Sequence, residues 1–191
     1  QNSKIEDGVC YKNYILEEED QVDITSTKNT AYGYLSVNGG FELEKIWKSY
    51  STNTKANIGS NNGKKYSIKD KIFIKKSNLQ ISKEIKINYN DLSDNIIRVI
   101  KGTNFNYFSN EAQNNFFNKE FLVTKLADRM GIRLSGHNLE NNVNTNIKSE
   151  GLVRGTIQVP ADGNPIIMLS DHGTIGGYPK IGVVISADLD R

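Results

Sequence analysis

Apolar residues in this chain fall in short runs, separated by polar breaks rich in glycine and asparagine. Tyr32-Gly-Tyr-Leu-Ser-Val37 alternates with the two-residue period of a half-buried strand, and residues 71–75 predict another short strand. Asn38-Gly39 and Asn62-Gly63 tolerate positive φ and predict turns. Residues 42–48 predict a turn of helix, and residues 95–100 a buried strand. Ser109 is an N-cap residue ahead of a helix, with Glu111 in its first turn, where the helix dipole favours a carboxylate. Residues 121–124 and 132–134 predict further strands, and 181–186 a strongly apolar one.

One stretch specifies more. Residues 153–160 and 165–171 are β-type runs on either side of Ala161-Asp-Gly-Asn164, which predicts a hairpin. Counting outward from a Pro160/Pro165 pair sets Gln158 opposite Ile167 and Arg154 opposite Asp171. Many short strands and few helices predict a mainly-β, barrel-like architecture. We expect a first β lobe over residues 1–78, a polar connection over 79–94 and a second lobe over 95–191.

Composition excludes several classes. Twenty-four basic against 22 acidic residues leave a net charge of +2, too balanced for a dedicated nucleic-acid or membrane-surface binder. No apolar run approaches the ~18 residues of a membrane-spanning helix. The single cysteine, Cys10, cannot form an internal disulfide, which fits a reducing, cytoplasmic setting. No Cys/His cluster has metal-ligand spacing, so no metal is expected. Gly59-Ser-Asn-Asn-Gly-Lys-Lys65 is one residue short of a phosphate loop and is rejected as one.

Candidate chemistry gathers near the end of the chain, and each candidate has a structural alternative. Asp171 and His172, beside a glycine loop, are either an acid/base pair or a strand-end acid bound to Arg154 with an exposed histidine. Gly176 and Gly177 either let backbone N–H groups approach a substrate carbonyl or make a tight turn. Tyr178 donates to a substrate or packs; Gln158, an amide in an apolar strand, braces the loop or recognises an amide. Arg129 and Arg133 form a carboxylate clamp or ordinary ion pairs.

Four ordered blocks carry a family resemblance: Tyr34-Leu-Ser-Val-Asn-Gly-Gly40, Ser49-Tyr-Ser-Thr52, Asp128-Arg-Met-Gly-Ile-Arg-Leu-Ser-Gly136, and the segment from Ser149-Glu-Gly through Gln158-Val-Pro and Asp162-Gly-Asn-Pro-Ile to Gly176-Gly-Tyr-Pro179. They resemble the carboxyltransferase-like group. That group includes the C subunit of bacterial 5-oxoprolinase (also called allophanate hydrolase subunit 2, or the antagonist of a kinase inhibitor) and the carboxyltransferase domain of urea carboxylase. Tyr50 replaces the group's arginine, and Gly173 and Ile175 stand where it has a glutamine and a second threonine.

The resemblance implies two cyclophilin-like β-barrel lobes, the first incomplete, in a chain shortened at both ends. It implies ATP-dependent opening of the 5-oxoproline lactam to glutamate, together with the A and B subunits of a 5-oxoprolinase. Asp171 and Tyr178 would be catalytic, and Gln158, Thr174, Gly176, Gly177, Arg129 and Arg133 would bind a small amide or lactam. ATP would act at the level of the complex, the isolated chain being inactive. Two alternatives remain. One is carboxyl transfer from carboxybiotin to urea, with biotin on a carrier elsewhere because no Met-Lys-Met attachment sequence is present. The other is a non-catalytic antagonist of a kinase inhibitor.

Overall fold

The structure, a computed structural model, describes residues 9–25, 32–88 and 96–189. The chain divides into two compact units, Gln1–Asp91 and Leu92–Arg191.

Among its described residues the first unit is held by isolated bridges, not ladders: Lys12↔Lys86, Phe41↔Ile74, Ile46↔Ser49 and Asn53↔Ile58. The expected strands at 32–37 and 71–75 form no ladder; their vicinity pairs only at the isolated bridge Phe41↔Ile74. No helical turn forms at 42–48. Trp47 and Lys48 take φ of 50° and 66° and close a two-residue hairpin between Ile46 and Ser49, the left-handed pair that such a loop requires. Both predicted turn dipeptides turn, with Gly39 at φ 86° and Asn62 at φ 54°. Residues 83–87 fall within the stretch expected to connect the lobes, yet they pair with residues 11–13: the Ile87 N–H donates to the Tyr11 carbonyl. The end of that stretch, 89–94, and the strand start at Asn95 lie outside the described residues. The buried positions described in this unit are Gly59, Ser60 and Gly63, while Tyr34, Trp47 and Ile68 are almost fully exposed. Alternation marks a face that can be buried; the described residues of this unit supply nothing to bury it.

The second unit is built on a six-stranded antiparallel sheet. Its strands are β1 (Val99–Lys101), β2 (Leu122–Ala127), β3 (Gly131–Ser135), β5 (Thr156–Gln158), β6 (Ile166–Met168) and β8 (Lys180–Val184), in the order β1-β8-β5-β6-β3-β2. β4 (Glu150–Gly151) and β7 (Ile175–Gly176) form a separate two-stranded ribbon. The class is mainly β, as the pattern predicts. Helix α1 (Asn110–Asn118) starts where expected: the Ser109 hydroxyl accepts the Ala112 N–H at 3.1 Å, and Glu111 lies in the first turn. Phe105, Phe108, Ala112, Leu139, Ile157, Val159, Ile181 and Val184 make the core, with Phe116 packed against it. A side chain at Gly182 would meet the Phe116 ring at 2.9 Å, so this glycine admits the helix to the sheet. β1 is an edge strand and is not buried: Ile100 is 59% exposed.

The hairpin forms, but its register differs by one residue from the expected one. Ile157 faces Ile167 and Gln158 faces Ile166. The Gly163 N–H donates to the Pro160 carbonyl at 3.0 Å, and Gly163 takes φ +71°. A left-handed glycine closing a three-residue loop replaces the even four-residue turn, and the ladder shifts accordingly. Arg154 therefore does not meet Asp171. Its Nη2 donates instead to the Leu189 carbonyl at 2.6 Å.

Candidate functional site

β5 is central in the sheet, between β8 and β6, and all three of its residues are buried. Ile157 points to the helix side. Its neighbour Gln158 must point the other way, and Gln158 pairs with Lys180 of β8 on that same face. A buried amide needs partners, and Gln158 Nε2 donates to the Tyr178 carbonyl at 3.2 Å. Of the two roles open to it, bracing the loop is the one made here.

The loop it braces is the β4–β7 ribbon and its continuation. Glu150 pairs with Gly176 and Gly151 with Ile175. On either side, the Leu152 N–H donates to the Thr174 carbonyl at 2.9 Å and the Ile147 N–H to the Gly177 carbonyl at 2.8 Å. Neither Gly176 nor Gly177 has positive φ, so no unusual backbone is needed. They are glycines because of close approach. A Cβ at Gly176 would lie 2.5 Å from Gln158 Nε2, and one at Gly177 would lie 3.2 Å from the Ile147 carbonyl oxygen. Thr174 and Tyr178 are exposed, the tyrosine at 39%. The structure thus brings Gln158, Gly176, Gly177 and Tyr178 together, with Thr174 at the other end of the same ribbon.

Asp171 follows β6. Its backbone N–H donates to the Arg129 carbonyl at 2.9 Å, and its carboxylate takes a two-pronged pair from the Arg129 guanidinium, Nε at 2.7 Å and Nη2 at 3.2 Å. This is the geometry of an oriented carboxylate and not of a free base. Arg129 sits in the β2–β3 turn, which Asp128 stabilises by accepting the Met130 N–H at 2.8 Å. Arg133 donates to Asp162 at 3.2 Å and pins the β5–β6 turn to β3. The two arginines therefore do not form one clamp; each engages a different carboxylate of the chain. The His172 ring lies against the carbonyl of its neighbour Gly173.

Lys180 and Glu150 join the site without having been expected from the sequence. Lys180 is 4% exposed and its Nζ lies 2.9 Å from Glu150 Oε2. The lysine, donating to it, holds the Glu150 carboxyl below its usual range. Composition gives no hint of such a lysine, since most lysines are solvated. The available signal was positional: Lys180 directly follows Gly-Gly-Tyr-Pro, and Glu150 is the acid of Ser-Glu-Gly.

Known proteins resemble the chain over most of its length. Residues 5–191 match the family described as carboxyltransferase domain, subdomain A and B. The 5-oxoprolinase C subunit of Haemophilus influenzae is 34% identical over 180 residues, 94% of this chain and 58% of that protein. The 5-oxoprolinase C subunit of Escherichia coli is 34% identical over 156 residues, 82% of this chain and 50% of that protein. The chain thus spans about half the length of the curated relatives it matches. A crystal structure of K. lactis urea amidolyase superposes with a TM-score of 0.68 at 25% identity, covering 81% of this chain and 11% of that one.

Proposed function

This chain belongs to the carboxyltransferase subdomain A and B family, and we propose that it serves as the C-type component of an ATP-dependent 5-oxoprolinase. The observation that carries this reading is the 34% identity to a 5-oxoprolinase C subunit over 94% of the chain. In the proposed reaction water adds to the lactam carbonyl carbon, the ring C–N bond breaks, and the nitrogen takes a proton to give glutamate. ATP hydrolysis on partner subunits of the A and B type drives it, in the cytoplasm. Among the described residues no helix is long and apolar enough to cross a membrane.

Within this reading the glycine loop faces the substrate. Tyr178, exposed at the loop's end, donates to the lactam carbonyl, and the Thr174 hydroxyl adds a second polar group. Gln158 holds the peptide that carries Tyr178 in place. Asp171, oriented by Arg129, accepts from the lactam N–H. Losing one buried hydrogen bond to the substrate costs about 1–3 kcal/mol, or roughly ten- to hundredfold in kcat/KM.

The test is the protein in its whole length, reconstituted with A- and B-type subunits and ATP on 5-oxoproline. Asp171→Asn and Tyr178→Phe are expected to lower turnover without loss of assembly. Full turnover in both variants would make the loop structural. The likeness to K. lactis urea amidolyase favours a second reading: transfer of a carboxyl group from carboxybiotin to urea. Activity on urea that depends on a biotin carrier, with none on 5-oxoproline, would select it.

A further inference from the structure

The ribbon that carries the glycine loop is too small to hold itself. Its strands are two residues each, and a lone two-stranded ribbon is marginal in water. It is tied to the six-stranded sheet on either side of Gly177. One tie is Gln158 to the Tyr178 carbonyl. The other runs from β8 to β4: Lys180 Nζ to Glu150 Oε2 at 2.9 Å, with Glu150 paired to Gly176.

This second tie is anchored at both ends. Lys180 is fixed through its backbone as well as its ammonium. Its N–H donates to Asn104 Oδ1 at 3.0 Å, and its carbonyl accepts the Asn104 N–H at 3.2 Å. Asn104 is itself 5% exposed. At the other end, Glu150 is held by its ladder pairing with Gly176. A strongly hydrated ammonium is costly to bury, and a carboxylate partner offsets that cost.

We propose that Lys180 and Glu150 are positioning residues, whose ion pair holds the β4–β7 ribbon and its glycine loop against the sheet. The consequence for turnover rests on the proposed function; the consequence for the ribbon does not. Asymmetry between the partners follows from burial. Lys180→Met removes the cation and leaves Glu150, whose side chain is 45% exposed, to be hydrated. Glu150→Gln leaves a buried cation without its counter-charge and is the more damaging change.

Amide hydrogen exchange on the reconstituted protein tests this. In both variants the Ile147 and Leu152 amides, which bond the Gly177 and Thr174 carbonyls, are expected to exchange about tenfold faster, the loss of one charged hydrogen bond. The Leu134 and Gly155 amides, which bond the Pro165 and Met168 carbonyls within the sheet, are expected to keep their protection. kcat is expected to fall more than KM changes. Unchanged exchange at Ile147 and Leu152 in both variants overturns the proposal, as does equal acceleration at Leu134 and Gly155, which marks general destabilisation. Faster exchange confined to the ribbon with full turnover supports the positioning role and counts against the loop as the substrate site. Lys180→Met leaves only a hydratable carboxylate, so it remains informative if Glu150→Gln does not fold.

Discussion

At the scale of single residues, Gln158 and Gly176 act as one unit. The amide reaches the Tyr178 carbonyl only because no side chain stands at Gly176, where a Cβ would come within 2.5 Å of Nε2. Gly176→Ala is therefore expected to displace the amide and break its bond, costing about 1–3 kcal/mol. In a Gln158→Ala background the same change is expected to cost far less. A double-mutant cycle by chemical denaturation measures this coupling; additive effects would show that the two positions are independent. Glu150 carries a pH dependence. Its folded pKa lies below the ordinary value because Lys180 donates to it, so the pair contributes fully above the ordinary glutamate pKa. That contribution is lost as pH falls through the lowered folded value. Acid titration of exchange at Ile147 and Leu152 is expected to show this loss, and Lys180→Met is expected to abolish it.

At the scale of elements, the signals that proved legible were local. Ser109 with Glu111 marked the start of α1, and the two β-type runs around Ala161-Asp-Gly-Asn164 marked the β5–β6 hairpin. What was not legible depended on long-range partners or on one dihedral. The hairpin register turns on Gly163 at φ +71° closing the loop one residue early. Asp171 found Arg129, 42 residues away, instead of Arg154. Residues 42–48 have helical spacing, yet Trp47 and Lys48 are left-handed and close a hairpin. Of the candidate site, the loop and its brace could be read because their residue types were out of place in their surroundings. The buried Lys180 could not, because its partner lies 30 residues away. Gly163→Ala meets both the φ penalty and a clash, since its Cβ would fall on the Asn138 side-chain amide. It is expected to cost more than the ~1 kcal/mol of a left-handed alanine alone. Thermal unfolding checks this, and an unchanged midpoint would contradict the assigned turn.

At the scale of the whole molecule, the described residues leave much apolar surface uncovered. β1 and β2 are the edges of the six-stranded sheet, and Leu122, Val123 and Leu126 on β2 are each at least two-thirds exposed. Exposed apolar edge strands favour pairing with further strands. The chain spans about half of the curated relatives it matches. Turnover is accordingly proposed for an assembly and not for this chain by itself. The decisive assay is ATP-dependent release of glutamate from 5-oxoproline by the reconstituted subunits, with and without the protein that contains this chain. Glutamate is expected to form with all subunits and ATP present, to be lost on omitting this protein, and to drop roughly ten- to hundredfold with Tyr178→Phe. Glutamate formed at an undiminished rate without the protein would contradict the proposed function.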